Sequence, residues 1–373
     1  MSTKKTILLS AVILLLSVTQ QVYAKIWRIN NRSNYNGSSL WGDNFGGTAA
    51  YPVFTQLSQA IAFAIVNNGD TIHVEGSTET YAFAIVTKKL VIIGTGYFLT
   101  DNPKTSNNTL ASKIQRIYFN AGSEGSQLIG MDIVSAGNTA DRVVYVNVNG
   151  VTVKRCRIES GIVFGFPLSD VYITQNFFPD ATTSKNLLFT NGNTAFVPPT
   201  DIIFNNNICQ KTLVWANSSG PWPITQCKNN IFDGPDNLAT ANLSFSTSDF
   251  SNNILMPTNA IVDVVASAGN IKNNIGTLPT QFGTADNNLV VPAITTLFVT
   301  STSTDGAYQI ADGSAADNSG TDGTDTGAYG GASIVNRYTL SGLAPVPVIY
   351  EISTSGVADA TGLPVTIKAR TIK

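Results

Sequence analysis

The chain has 373 residues, of which 43% are hydrophobic and only 12% are charged. The net charge of −2 excludes an electrostatic basis for binding nucleic acid or an anionic membrane. The charged fraction is about half that of an ordinary globular protein, and Asn, Thr, Ser and Gly supply the polar surface instead. This composition favours stacked strands joined by tight turns over helices.

The N-terminus is typical of a secretory signal peptide. Lys4 and Lys5 precede an apolar run at residues 7–18 that is too short to span a bilayer comfortably. A small-residue cleavage site ends at Ala24, which makes Lys25 the expected mature N-terminus. We therefore expect an exported protein, periplasmic, cell-surface or extracellular, without a membrane span in the mature chain. The alternative is an uncleaved membrane anchor.

Three cysteines, Cys156, Cys209 and Cys227, follow this segment. An odd number in an exported chain does not make a disulfide framework. The sequence has no Cys-x-x-Cys pair and no histidine cluster for a metal. We therefore expect all three to be small apolar core residues.

An internal repeat determines the fold prediction. An apolar residue or cysteine is followed three positions later by asparagine, and this pattern recurs roughly every 23 residues, at Asn176, Asn207, Asn230, Asn253 and Asn274. Two weaker copies upstream place Asp132 and Cys156 at the same position. A second apolar segment alternates with the first, so each repeat contains more than one short strand.

These repeats predict a solenoid. One coil cannot bury its own inner face, so coils must stack, about 4.8 Å apart. Equivalent asparagines then form a ladder in which each amide donates to one neighbour and accepts from the other. The predicted fold is all-β, a single-stranded right-handed parallel β-helix.

Both ends of the predicted solenoid differ from the coils. Leu57, Ile61 and Ile65 share one face of a short helix, which we expect to cap the first coil. Terminal strands are expected after Pro345 and after Pro364. The predicted domains are a signal peptide at residues 1–24, the β-helix with its cap at 25–331 and a strand-containing tail at 332–373.

Several segments carry a family resemblance: Gly69-Asp-Thr-Ile-His-Val-Glu-Gly, Leu90-Val-Ile-Ile-Gly-Thr-Gly-Tyr and Gly323-Thr-Asp-Thr-Gly-Ala-Tyr-Gly-Gly. With the asparagine repeat, they make the chain resemble secreted bacterial pectate-lyase-like right-handed β-helix proteins. Its tail resembles tails of such proteins from Bacteroidetes. The resemblance implies the fold over roughly residues 50–331. It does not imply one function, because this scaffold hosts lyases, hydrolases and adhesins.

Catalytic motifs are sparse. Hydrolases of this fold resemble one another in paired aspartates and a Gly-His-Gly segment, and neither is present. Lyases of this fold use Ca²⁺-binding carboxylates and a Lys or Arg base, for which the only cluster on a coil is Lys154, Arg155 and Arg157. A base of this kind needs neighbours that lower its pKa. The competing interpretation, which we favour, is a solvated outer strand face with Lys154 pointing outward.

Three other groups of residues allow both a structural and a functional interpretation. The aromatic series of the second repeat segment is predicted to be an internal stack rather than a sugar-binding track, and it comprises Tyr145, Phe164, Phe189, Trp215 and Phe245. The single histidine, His73, is expected to face outward without a catalytic role. An aspartate-rich loop is predicted to be a polar turn rather than a Ca²⁺ site, and it contains Asp312, Asp317, Asp322 and Asp325.

The preferred functional prediction is a non-catalytic exported protein, a monomer without a cofactor. Its long polar face would bind polysaccharide or a cell-surface glycan, or would serve a cell-surface, adhesive role. The alternative is a polysaccharide lyase acting on acidic glycans by β-elimination. Sparse charge favours the first, because a uronate-binding cleft needs several clustered cations and carboxylates.

Overall fold

The computed structural model describes residues 24–32, 47–48, 51–134, 143–165, 167–180, 186–190, 197–236, 241–357 and 362–372. The predicted signal peptide before Ala24 lies outside these residues. The described chain is all-β, with short strands in long parallel sheets and few helices.

The first sixteen strands are β1 (Ile26–Ile29), β2 (Val53–Phe54), β3 (Thr71–Val74), β4 (Ala84–Val86), β5 (Val91–Ile93), β6 (Lys113–Ile114), β7 (Ile117–Phe119), β8 (Gln127–Ile129), β9 (Asp132–Ile133), β10 (Val143–Val146), β11 (Thr152–Lys154), β12 (Arg157–Ile158), β13 (Gly161–Phe164), β14 (Val171–Thr174), β15 (Phe177–Phe178) and β16 (Leu188–Thr190). The remaining strands are β17 (Ile202–Asn205), β18 (Ile208–Cys209), β19 (Leu213–Val214), β20 (Ala216–Asn217), β21 (Gly220–Pro221), β22 (Gln226–Lys228), β23 (Ile231–Phe232), β24 (Leu243–Ser246), β25 (Phe250–Ser251), β26 (Ile254–Leu255), β27 (Val262–Val265), β28 (Ile271–Lys272), β29 (Ile275–Gly276), β30 (Leu289–Val290), β31 (Pro347–Thr354) and β32 (Val365–Thr371). Two α-helices are α1 (Leu57–Ala62) and α2 (Pro279–Phe282), and four 3₁₀ turns span Ile294–Leu297, Gly306–Tyr308, Ile334–Asn336 and Leu340–Gly342.

Three stacked parallel sheets form a solenoid-like fold. Sheet A has eleven strands in the order β2-β1-β3-β5-β8-β11-β14-β17-β22-β25-β28, sheet B has nine in the order β30-β29-β26-β23-β18-β15-β12-β9-β6, and sheet C has five in the order β16-β13-β10-β7-β4. A complete coil such as β11, β12 and β13 contributes one strand to each. Later coils add a three-stranded sheet, β19-β24-β27.

The asparagine ladder lies at the turn between sheets A and B. Each backbone N–H donates to the Oδ1 of the next asparagine at 2.9 Å, and each Nδ2 donates to the same atom at 3.0–3.1 Å. The ladder extends at both ends, because Cys156 N donates to Asn176 Oδ1 and Asn274 donates twice to Asn288 Oδ1. Asn288, only 14 positions after Asn274, was missed in the sequence because its spacing is short.

The upstream alignment of the repeat was wrong by one residue. Strand pairing places Val153 opposite Leu128 and Arg157 opposite Asp132. The buried Met131, and not Asp132, therefore occupies the position that precedes Cys156 in the stack.

The residue before each ladder position adopts a left-handed conformation. Six of these residues, with φ between 53° and 59°, are Arg155, Gln175, Asn206, Asn229, Asn252 and Asn273. Asparagine tolerates this conformation better than most residues, which explains its frequency there. The turn leads the chain from sheet A to sheet B within two residues and directs the first side chain outward, toward the C-terminal segment.

That segment, residues 294–343, is here called the strap. It covers the outer face of sheet B and buries Ile208, Ile231, Ile254 and Ile275 under its own Leu297, Tyr308 and Tyr338. Left-handed turn residues hold it through the contacts Asn273 Nδ2–Ser319 O, Asn252 Nδ2–Thr321 Oγ1, Asn206 Nδ2–Ala328 O, Gln175 Nε2–Arg337 O and Arg155 Nη1–Leu343 O. The strap thus runs back along the coils toward the N-terminus.

The two ends of the chain contain the remaining elements. Helix α1 buries Leu57, Ala60 and Ile61 but ends at Ala62, so Ile65 lies beyond it and is 40% exposed. The predicted terminal strands are β31 and β32, which form an antiparallel hairpin. The predicted boundary between β-helix and tail at residue 331 falls inside the strap, and the domain division itself stays a prediction.

Candidate functional site

A groove runs along the outer face of sheet A, between its strands and the strap. Its volume is about 800 Å³. Outward side chains of successive strands form its floor in two columns, Gln127-Thr152-Tyr172-Ile203-Gln226 and Lys154-Thr174-Asn205-Lys228. The strap contributes the opposite wall, with Thr321, Asp322, Gly331, Ala332, Ser333 and Asn336.

Most of the groove's floor is neutral and polar. Asn205 Nδ2 donates to Gln226 Oε1 at 2.6 Å, and Asn205 Oδ1 accepts from Lys228 N at 2.9 Å. These contacts fix the direction of two amide groups at the surface. Tyr172 beside them is 40% exposed. The floor therefore offers preoriented amides and hydroxyls next to one accessible ring, and Lys154 and Lys228 are its two charged side chains.

Lys154 lies on this floor and points outward, as the sequence predicted. Its ammonium donates to the carbonyl of Val335 on the strap at 3.3 Å. Burial, with a further contribution from the charge of Arg155, lowers the pKa of Lys154 to about 8. Within the described part of the chain its ammonium forms no ion pair. Lys228, three strands away and thus at about 14 Å, pairs with Asp249 at 3.3 Å.

The structure does not bring the three basic candidates to one place. Arg155 is 1% exposed, and it donates to Gln175 Oε1 and to the Leu343 carbonyl under the strap. Arg157 pairs with Asp132 at 2.9 Å and Glu159 at 3.2 Å. The three side chains of this turn thus lie in three different environments, and of the three only Lys154 lines the groove.

Burial disfavours the charged form of Arg157, but Asp132 and Glu159 outweigh it and raise the Arg157 pKa. This arginine is therefore held as a permanent cation in a structural ion pair. It lies 5.6 Å from the ring centroid of Phe98, which also places it away from the groove.

The aspartate loop is part of the strap. Asp317 accepts from the Gly313 amide, Asp322 from Thr324, and Asp325 from the Asn318 amide. Burial alone would raise the Asp322 pKa, but the hydrogen bonds from Thr324 lower it. No group of three His, Cys, Asp or Glu side chains suited to a metal occurs among the described residues. Each carboxylate is instead used by its own turn.

The aromatic series divides between two faces, which corrects the internal stack predicted from the sequence. Phe164, Trp215 and Phe245 are buried in the core. Tyr145 and Phe189 are half-buried on the outer face of sheet C, where both align with Val163. Tyr145 and Phe189 are thus shifted by one residue relative to the inward-facing Phe164. A shift of one residue along a strand turns the side chain to the opposite face of the sheet.

The outward rings do not make an open stacking track. Tyr145 stacks on Tyr118 with ring centroids 4.2 Å apart and an angle of 10°. Their facing surfaces therefore contact each other and only their edges reach the outside. Arg116 lies over Tyr118 and over the exposed Phe83. The ring faces covered by these contacts are therefore not open to a flat ligand.

His73 lies on the outer side of β3, half-buried beside a smaller cavity of about 380 Å³. The hairpin residues Val348 and Ile349 line the same cavity. Burial is the largest influence on His73 and lowers its pKa. The side chain is thus mainly neutral near pH 7.

Comparison with protein-family models, curated proteins and solved structures finds no match to the chain. Among the described residues, no helix has the length and apolar character needed to cross a membrane. The groove residues Tyr172, Asn205 and Gln226 were not singled out in the sequence. Their only signal there was a polar or aromatic residue at the outward positions of the repeat.

Proposed function

We propose that this chain is an exported right-handed parallel β-helix that binds polysaccharide, without catalysis, through the groove on sheet A. The helix α1 caps its first coil. The observation that carries the proposal is the groove of about 800 Å³ with a floor of fixed amides, hydroxyls and one accessible tyrosine. Such a surface suits a neutral, hydroxyl-rich polymer, because each sugar offers both donors and acceptors and an apolar face for the ring.

The shape of the groove also supports a polymer. Equivalent floor positions repeat from coil to coil at about 4.8 Å, close to the length of a sugar residue in an extended chain. Asn205 and Gln226 belong to successive strands of this series. Several sugars of one chain can therefore contact several coils, and the combined contacts provide affinity where each one is weak.

A glycan array with the mature protein tests the proposal, followed by calorimetry with the best ligand. We expect Tyr172→Ala and Gln226→Ala each to weaken binding about five- to thirtyfold, since each removes roughly 1–2 kcal/mol of contact. Tyr350→Ala, in the hairpin outside the groove, is the matched control and should bind normally. Binding that is unchanged by both groove substitutions would refute the site.

A lyase remains the second candidate, and one observation favours it. Lys154 faces the groove with a pKa lowered to about 8, which suits a general base near neutral pH. Its test is incubation with pectate, alginate and glycosaminoglycans, with and without Ca²⁺, while the ultraviolet absorbance of unsaturated products is followed. Turnover lost in Lys154→Met but kept in Lys228→Met would establish the lyase. No turnover, together with glycan binding, supports the non-catalytic function.

Export is a separate part of the proposal. It rests on the basic and apolar N-terminal pattern that ends at Ala24. Mass spectrometry of the protein from its native host should find a mature N-terminus at Lys25. An intact Met1 on a membrane-embedded species would contradict export.

A further inference from the structure

A buried carboxylate lies next to the first backbone nitrogen of the expected mature chain. Asp70 is 1% exposed, and its Oδ1 accepts from the backbone nitrogen of Lys25 at 2.8 Å. Its Oδ2 accepts from Trp27 Nε1 at 2.8 Å and from Asn67 N at 2.9 Å. Asp70 therefore links three groups by hydrogen bonds: the first residue of the expected mature chain, the buried Trp27 and the turn before β3.

Three neutral N–H groups donate the hydrogen bonds to Asp70 in this arrangement. A buried carboxylate is unfavourable unless a cation or several hydrogen bonds compensate it. No ion pair within the described part of the chain includes Asp70. The nearby ammonium of Lys88 instead donates to the carbonyls of Phe63 at 3.0 Å and Val66 at 2.8 Å. The charges of Lys88 and Asp70 attract each other, but no cation contacts the carboxylate directly among the described residues.

Signal-peptide removal would create a positive charge at this nitrogen. Hydrolysis of the Ala24–Lys25 bond by a signal peptidase consumes one water and breaks the C–N bond. The carboxylate leaves with Ala24, and the freed amine of Lys25 takes up a proton. The neutral amide N–H that now contacts Asp70 then becomes an α-ammonium at the same place, and a charge-assisted hydrogen bond is stronger than a neutral one.

We propose that Asp70 is the receptor for the α-ammonium of Lys25, so that leader removal adds a buried ion pair that fastens the first strand. This inference rests on the proposed export and is independent of glycan binding. Two features of the first coil depend on that strand. β1 lies between β2 and β3 in sheet A. Its Trp27 ring packs against Phe54 and Phe63, which contact the cap.

Amine labelling gives a direct test. The chain is released from a fusion so that Lys25 is its first residue, and it is acetylated at pH 7, where α-amines react ahead of lysine side chains because their pKa is near 8. Peptide mass spectrometry follows the N-terminal peptide, in which the Lys25 α-amine reacts ahead of the ε-amine of the same residue. We expect acetylation at least about tenfold slower in the native protein than in the denatured one. Asp70→Asn should abolish that protection, whereas the exposed Asp312→Asn should keep it.

A second measurement covers the case in which Asp70→Asn fails to fold. A chain that begins at Ala24 is one residue longer and removes the ammonium from Asp70 without altering any side chain. Hydrogen exchange in Ile26–Ile29 should be faster in that chain than in the Lys25-start chain. Equal exchange in the two, or equal acetylation in native and denatured protein, would overturn the inference. A native mature terminus other than Lys25 would overturn it as well, whatever the outcome of the glycan experiments.

Discussion

Replacing Asn230 by leucine tests the energetic role of the ladder. Asn230 is fully buried, and its Oδ1 accepts from the backbone N–H and the Nδ2 of Asn207 at 2.9 and 3.1 Å. Leucine has a similar size but no acceptor, so the substitution leaves two buried donors on Asn207 without a partner. Each unsatisfied donor costs about 1–3 kcal/mol, which gives an expected loss of about 2–6 kcal/mol.

Guanidinium chloride unfolding, followed by circular dichroism, measures this loss as a shift of the midpoint. The matched control on the same coil is Lys228→Ser, which removes one ion pair with Asp249 at 3.3 Å at the surface and should cost about 0–1 kcal/mol. Comparing midpoints suits a solenoid, whose unfolding need not be two-state. Equal shifts for the two substitutions would refute the reasoning that the ladder amides are buried and mutually dependent.

Three further predictions concern the core and the strap. All three thiols are buried, and burial raises the Cys156 pKa to about 12, so a thiol reagent at pH 8 should label none of them until denaturant is added; rapid native labelling would contradict the buried placement. A chain that ends at Ala293 should bind a hydrophobic dye and aggregate, because Ile231 and its neighbours lose their cover; a soluble, dye-negative truncation would show that the strap is dispensable. Arg155→Met should lower the free energy of unfolding by about 1–3 kcal/mol, and with it the denaturant midpoint, because the Leu343 carbonyl loses its buried donor; an unchanged midpoint would mean that water replaces the guanidinium.

The ladder was accessible from the sequence because it depends on one residue type at one repeated position. Asn207, Asn230 and Asn253 are 23 residues apart, and an amide stack needs only that spacing. The upstream copy was aligned wrongly because Leu128 and Ile129 are both apolar and both buried. Apolar character alone does not distinguish the two registers there.

The direction of the sheet C aromatics was not accessible for a related reason. The strand Val143–Val146 is apolar at every position, so alternation gives no phase. The pairing of Val144 with Ile117 and Ile162 determines it. Tyr145 consequently points outward, although the corresponding Phe245 of a later coil is in the core.

The strap and the groove could not be predicted, because the strap has no periodic pattern and the groove exists only where the strap faces the repeated outer positions of sheet A. The strap is held largely through its backbone carbonyls, such as Ser319 O and Ala328 O, and a carbonyl is present in every residue. The buried position of Arg155 follows from the same contacts. From the sequence alone, a charged side chain in a turn is expected to be exposed to solvent. Arg155 is buried because the strap covers it.

The column of left-handed turn residues limits how the number of coils can change. From Asn273 to Arg155 it crosses five coil steps, or about 24 Å, and the strap contacts it at defined points from Ser319 to Leu343. An open-ended repeat protein gains or loses a coil by duplicating or deleting one segment. Here an added coil would separate the anchor points by about 4.8 Å, more than one extended residue spans. A viable duplication would therefore need a matching insertion in the strap, whose anchor points lie between 46 and 188 residues from the turns that they contact. The number of coils and the length of the C-terminal segment must therefore change together.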